Sequence, residues 1–129
     1  MKTYIIAEVG PNHNGSFLLA TKYIDLLSKT GANAVKFQLA QPLEVYSLES
    51  FKANYQKKND GKRSIIEMSK KNQLSFDDHI KLSKYCKKKG LDYLCSAFDI
   101  KSLKFLDRTI NVKYIKVPSG EVFDLNTLK

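Results

Sequence analysis

The stretch Ala34-Val35-Lys36-Phe37-Gln38-Leu39 reads as a β-strand whose alternation sets Val35 and Phe37 on one face and Lys36 and Gln38 on the other. Three more stretches repeat the theme. Tyr4-Ile5-Ile6-Ala7-Glu8-Val9-Gly10 carries Glu8, and Tyr93-Leu94-Cys95-Ser96-Ala97-Phe98 carries Ser96. Tyr114-Ile115-Lys116-Val117-Pro118-Ser119-Gly120-Glu121 carries Lys116, Ser119 and Glu121. A parallel sheet covered by helices on both faces has near-continuous apolar strands, so a polar or charged side chain in each strand calls for a cause. An anion-binding site is the simplest one.

Strand and helix patterns alternate along the chain, the signature of parallel βα units. After the first strand, Asn14-Gly15-Ser16 supplies a turn and an N-cap for a helix with a stripe of Leu19, Ala20, Tyr23, Ile24 and Leu27, ended by Gly31. Ser75 caps a helix with Asp77 and Asp78 in its first turn and Leu82, Tyr85 and Cys86 on one face. Asp99 caps a further helix carrying Ile100, Leu103 and Leu106, and a fourth strand is expected from about Lys113. Residues 41 to 74 are less regular. Gln41-Pro42 breaks the pattern, Asn59-Asp60-Gly61 reads as a turn, and Ser64 to Lys71 suits a short helix. So long a connection suggests a loop that covers a substrate. At Asn126 to Lys129 another helix is expected to start.

In this register Ile5, Ala7, Val9, Val35, Phe37, Tyr93, Cys95, Ile115 and Val117 face the helices, while Glu8, Lys36, Gln38, Ser96 and Lys116 share the opposite face. Charges on four strands are costly to bury between two helical layers. In a barrel that second face is the interior, and its C-terminal mouth is where strand-end residues assemble active sites. Two lysines beside one glutamate suit the neutralisation of a phosphate or carboxylate. The bland alternative is a buried Lys-Glu pair that serves packing only. His13, on the loop at the same mouth, either touches a ligand or only hydrogen-bonds its loop, and His79 is either exposed or packed.

Composition narrows the function classes. The 129 residues suffice for one domain or part of one, with 43% hydrophobic residues including seven tyrosines and seven phenylalanines. No run of apolar residues is long enough for a membrane span, and Met1-Lys2-Thr3-Tyr4 lacks the apolar core of a signal peptide, so a cytoplasmic protein without membrane association is expected. Cys86 and Cys95 are read as buried thiols in a reducing compartment rather than a disulfide or redox pair. The net charge of +9 comes almost wholly from lysines gathered where helices end, as in Lys70-Lys71 and Lys87-Lys88-Lys89. With only Arg63 and Arg108 as arginines and no recognisable reading module, nucleic-acid binding is not expected.

The ordered motifs Ile6-Ala7-Glu8-Val9-Gly10-Pro11-Asn12-His13-Asn14-Gly15, Gly31-Ala32-Asn33-Ala34-Val35-Lys36-Phe37-Gln38 and Lys116-Val117-Pro118-Ser119-Gly120-Glu121 resemble the N-terminal half of the sialic acid (N-acetylneuraminate) synthase family. That family includes legionaminate and pseudaminate synthases and the related spore-coat polysaccharide protein. The resemblance implies an α/β fold, the N-terminal half of a TIM (β/α)8 barrel with about four parallel strands and flanking helices. It implies a transferase of carbohydrate biosynthesis that condenses phosphoenolpyruvate with an N-acylated mannosamine-like hexosamine, giving a nine-carbon 2-keto acid and phosphate. A divalent metal, manganese or magnesium, is implied for the full-length enzyme, as is a homodimer.

By motif position, the resemblance makes Lys36, Ser96, Lys116 and Ser119 the phosphoenolpyruvate-binding residues and Glu8, Gln38 and Glu121 the sugar-binding ones, with Glu8 also the catalytic candidate for proton movement. Two departures stand out. Cys95-Ser96-Ala97-Phe98 occupies a position where relatives commonly have Ser-Thr-Pro-Phe, keeping the hydroxyl but losing a stiffening proline. Relatives also continue through four more βα units and usually an antifreeze-like domain, and their metal-ligand histidines lie in that later half. No metal ligand is therefore expected within residues 1–129, which are read as a fragment inactive alone. A noncatalytic half barrel that binds a small anion or a protein partner is the alternative, and another phosphoenolpyruvate- or sugar-phosphate-using barrel a third reading.

Overall fold

The structure is a computed structural model that describes residues 3–47 and 64–123. Its element order is β1 (Ile6–Gly10), α1 (Phe17–Leu27), β2 (Ala34–Leu39), α2 (Pro42–Val45), α3 (Ile65–Asn72), α4 (Phe76–Lys88), β3 (Asp92–Ala97) and α5 (Ile100–Phe105). A π-helical turn, Leu106–Ile110, extends α5, and a 3-10 turn spans Ser119–Glu121. The three strands form a parallel sheet in the order β1-β2-β3. Parallel neighbours need a crossover, which α1 supplies between β1 and β2 and α4 completes between β2 and β3.

The helix boundaries follow their caps. Ser16 Oγ accepts from the Leu19 N–H, and Ser64 and Ser75 each form a reciprocal capping box, with Glu67 and Asp78 respectively. Lys70 and Lys71 lie in the last turn of α3 and Lys87 and Lys88 in the last turn of α4, as expected of solvated charges complementing the dipole. Asp99 caps α5 by accepting from the Ser102 N–H.

The core lies between the sheet and its helices. Val9, Val35, Phe37, Leu39, Tyr93 and Cys95 from the strands meet Ala20 and Ile24 of α1 and Leu82 and Cys86 of α4. Phe37 stacks on Tyr93 with ring centroids 5.7 Å apart. The histidines complete this layer: His13 and His79 are both buried, at 6.1 and 6.5 Å from the Phe37 ring. Both cysteines are buried and free, and burial alone pushes the Cys86 thiol up to about 12. No helix among the described residues is long and apolar enough to cross a membrane.

Three expectations differ from the structure. The fourth strand is reduced to one parallel bridge, Ser96 with Lys116, so the described sheet has three strands. Ile5 and Ile115, expected against the helices, are exposed, because the first lies before β1 begins and the second outside any ladder. Helix α5 does not continue regularly through Leu106 but widens into the π turn, ending at Asn111 with φ +56°. The turn expected at Asn59-Asp60-Gly61 and the helix expected at residues 126–129 lie outside the described residues.

Candidate functional site

The site begins with register. Glu8 of β1 lies opposite Lys36 of β2, Gln38 of β2 lies opposite Ser96 of β3, and Ser96 in turn bridges to Lys116. Residues two apart on a strand share a face, so this register gathers the expected group on the side of the sheet away from the helices. The Lys36 ammonium is ion-paired with the Glu8 carboxylate and donates to Ser96 Oγ at 3.2 Å. Lys36 is largely buried, with 15% of its side chain exposed, whereas Glu8 keeps 47%. Lys116 Nζ donates to the carbonyl of Val117 at 2.6 Å. Glu8, Lys36 and Lys116 line a cavity of about 550 Å³ together with Ile6, Leu94 and Ile115.

One carboxylate and two ammonium groups give the cavity a formal excess of one positive charge. The carboxylate neutralises Lys36, while among the described residues Lys116 donates to a backbone carbonyl and has no carboxylate partner. Such an arrangement can accept an anion by letting it share both ammonium groups, with Ser96 as a neutral hydrogen-bonding neighbour.

Gln38 approaches the same group from beyond Gly10. A Cβ built on Gly10 would stand 3.2 Å from Glu8 Oε1 and 3.4 Å from Gln38 Nε2. Ser119 is exposed and Glu121 half-buried on the 3-10 turn, and no hydrogen bond or ion pair among the described residues joins either to Glu8, Lys36 or Ser96. The structure therefore brings Glu8, Lys36, Ser96 and Lys116 together, sets Gln38 beside them, and leaves Ser119 and Glu121 apart. Gly10 was not among the sequence candidates. A glycine closing a strand, two residues after a polar one, is the available signal for a bulge or close approach.

The mouth is tied by side chains to backbone groups. Asp99, buried at the end of β3, accepts from the Gln41 N–H, the Ser102 N–H and the Ser102 hydroxyl, each at 2.7 Å, which joins the end of β2 to the start of α5. Gln73 Oε1 accepts from the Ala40 N–H at 3.2 Å. Gly15, with φ +72°, packs so closely on α3 that a Cβ would lie 2.2 Å from the Lys71 carbonyl oxygen.

His13 belongs to this loop and not to the cavity: its Nδ1 accepts from the Gly15 N–H at 3.1 Å, and burial holds its pKa below the usual histidine range. His79 Nδ1 pairs with Tyr93 Oη at 2.6 Å while its Nε2 is buried without a partner. Burial, aided by nearby His13 and opposed by Asp78, lowers the His79 pKa to about 4. Both rings are thus neutral packing groups behind the sheet. Among the described residues no group of three or more His, Cys, Asp or Glu side chains could hold a metal ion. The residues described do not by themselves fit the divalent metal that the resemblance implies.

A model of the NeuB family matches residues 23–129. The chain belongs to the NeuB family. Within that family it is 38% identical over 130 residues to the N,N'-diacetyllegionaminic acid synthase of Legionella pneumophila, covering all of this chain and 36% of that protein. It is 32% identical over 126 residues to the N-acetylneuraminate-9-phosphate synthase of Drosophila melanogaster, covering 98% and 34%. Among solved structures, the N-acetylneuraminic acid synthetase of Leptospira borgpetersenii in complex with citrate superposes with a TM-score of 0.78 at 25% identity, covering 99% of this chain and 40% of that one. The spore coat polysaccharide biosynthesis protein of Bacillus subtilis gives a TM-score of 0.63 at 29% identity, covering 88% and 28%. This NeuB-family chain spans about a third of the length of the curated relatives it matches.

Proposed function

We propose that this chain supplies the N-terminal half of a (β/α)8 barrel in a sialic-acid-synthase-type transferase, which condenses phosphoenolpyruvate with an N-acylated mannosamine-like sugar. The products are a nine-carbon 2-keto acid and phosphate. The observation that carries this reading is the run Glu8, Lys36 and Ser96 across three neighbouring parallel strands, continued by the bridge from Ser96 to Lys116, with Glu8, Lys36 and Lys116 lining one cavity. The names of its relatives support the substrate class.

In this reading Lys36 and Lys116 share the charge of phosphoenolpyruvate, and Ser96 and Ser119 hold its oxygens. The methylene carbon of phosphoenolpyruvate attacks the open-chain aldehyde of the sugar to form the new carbon–carbon bond, water adds at the carbon that bears the phosphate, and phosphate departs. Glu8, half-exposed beside Lys36, moves protons at the sugar oxygen or the entering water, with Gln38 and Glu121 orienting the sugar. Where ligand displaces the Glu8 contact, Lys36 exchanges one anion for another and stays paired.

Calorimetric titration of phosphoenolpyruvate into the chain and into Lys116→Ala tests the reading. Lys116 has no carboxylate partner among the described residues, so its removal is expected to weaken binding by about ten- to a hundredfold, the loss of a charge-assisted hydrogen bond of about 1.5–3 kcal/mol. Equal affinity in the two proteins would sink the assignment.

A second reading, a noncatalytic half barrel that docks another polypeptide, is favoured by one observation. Tyr4, Ile6, Tyr114 and Ile115 are exposed around the same cavity. A chain that stays monomeric in light scattering while binding phosphoenolpyruvate would exclude self-association as its main role.

A further inference from the structure

We propose that Gly10 is a positioning residue that sets the Glu8 carboxylate and the Gln38 carboxamide on either side of one hydroxyl or N-acyl group of the bound sugar, an inference that rests on the function proposed above. Three independent features meet at this glycine. Its backbone has φ +53°, the left-handed region that other residues enter at a cost. The pairing of β1 with β2 shifts here, from Glu8 opposite Lys36 to Gly10 opposite Phe37, which leaves Val9 as the extra residue of a bulge. And the position a Cβ would take is flanked by an acceptor, Glu8 Oε1 at 3.2 Å, and a donor, Gln38 Nε2 at 3.4 Å.

Together these give the bulge a purpose. Regular pairing would continue the alternation and set Gly10 opposite the next residue of β2. The shift instead sets Gly10 opposite Phe37, and two polar groups from different strands converge on the position its Cβ would take. A hydroxyl both donates and accepts, and an N-acyl group offers an N–H and a carbonyl, so either satisfies this pair simultaneously. A methyl group at residue 10 crowds Glu8 Oε1, comes into contact with Gln38 Nε2 and occupies the approach.

The chain contains its own control. Gly31 also has a positive φ, +81°, but a Cβ there meets nothing within 4 Å. Gly31→Ala therefore carries the backbone strain without the steric effect. Asn tolerates the left-handed region better than Ala, so Gly10→Asn keeps the steric effect with less strain.

The first readout needs no ligand: the NMR resonances of the Gln38 side-chain amide and the Glu8 carboxyl carbon. Gly10→Ala and Gly10→Asn are both expected to displace them, and Gly31→Ala to leave them in place while lowering stability. The second readout is titration with N-acetylmannosamine. Both Gly10 variants are expected to weaken its binding by on the order of tenfold, as for one lost hydrogen bond, with phosphoenolpyruvate affinity changed far less. Unmoved Gln38 and Glu8 resonances in Gly10→Ala overturn the proposal, as does wild-type behaviour of Gly10→Asn in both readouts. A wild-type chain that binds neither probe refutes the proposed function instead, and the resonances then decide the positioning role by themselves.

Discussion

The two faces of the sheet are built from the same strands and differ in how far their groups are satisfied. On the helical side Val35, Phe37, Tyr93 and Cys95 are closed under α1 and α4, and even the histidines there are fully buried and neutral. On the other side Glu8 is half-exposed, Lys116 donates to its neighbouring carbonyl, and Ile6 and Ile115 meet solvent. One face is a finished core and the other carries partly exposed charge beside a cavity. The difference teaches that, in the proposed reading, stability and function sit on opposite sides of three short strands, one residue apart in sequence.

The largest effect that sharpens this contrast comes from Phe37. It is wholly buried and touches His13, His79 and Tyr93, so Phe37→Ala should cost about 3–5 kcal/mol in urea denaturation. A loss below that of an ordinary surface substitution would mean that the helical face is not the core. Next is Gly15→Ala, for which roughly 2–4 kcal/mol is expected from left-handed strain and displacement of α3 combined. Its Cβ would meet backbone, which cannot rotate away as a side-chain tip can.

Acid probes the same face through His79. Its pKa is lowered to about 4 in the folded chain against 6.5 when unfolded, so between those values the unfolded state binds more protons. Stability contributed by the neutral ring is complete above about pH 6.5 and falls as pH drops towards 4, by about 1.4 kcal/mol per pH unit within the window. His13 acts in the same direction. Denaturation curves at pH 7 and pH 5 should show the loss, and His79→Phe, which keeps a ring and removes the proton site, should flatten it. An unchanged slope in that variant would place the pH dependence elsewhere.

How much of this was readable from the sequence follows the same division. The shared polar face was legible because alternation is strict in a strand: Glu8, Lys36, Gln38 and Ser96 had to point one way once the period of two was accepted. Caps at Ser16, Ser75 and Asp99 were legible because the hydroxyl or carboxylate that accepts the orphan N–H must precede the helix. The burial of His79 was left open, since a histidine early in a helix gives no sign of which turn faces the sheet. Gly10 escaped because a bulge alters pairing without altering the hydrophobic pattern, and the reduction of the fourth strand to a single bridge depends on neighbours that residues 113–118 do not specify locally.

The smallest expected effect on stability belongs to the polar face, and its smallness is the point. Lys36→Met keeps the length and apolar stem of the side chain while removing the ion pair with Glu8 and the hydrogen bond to Ser96. With half of Glu8 in solvent the carboxylate can recover hydration, so the change should lie within about 1 kcal/mol of wild type. Phosphoenolpyruvate affinity should nevertheless fall steeply, because the largely buried one of the two ammonium groups lining the cavity is lost. Denaturation and titration of the same variant separate the two outcomes. A large loss of stability with retained affinity would reverse the comparison and make the Glu8–Lys36 pair a structural bond. Near-native stability with lost affinity would show a face held ready for its ligand by a fold that does not need it.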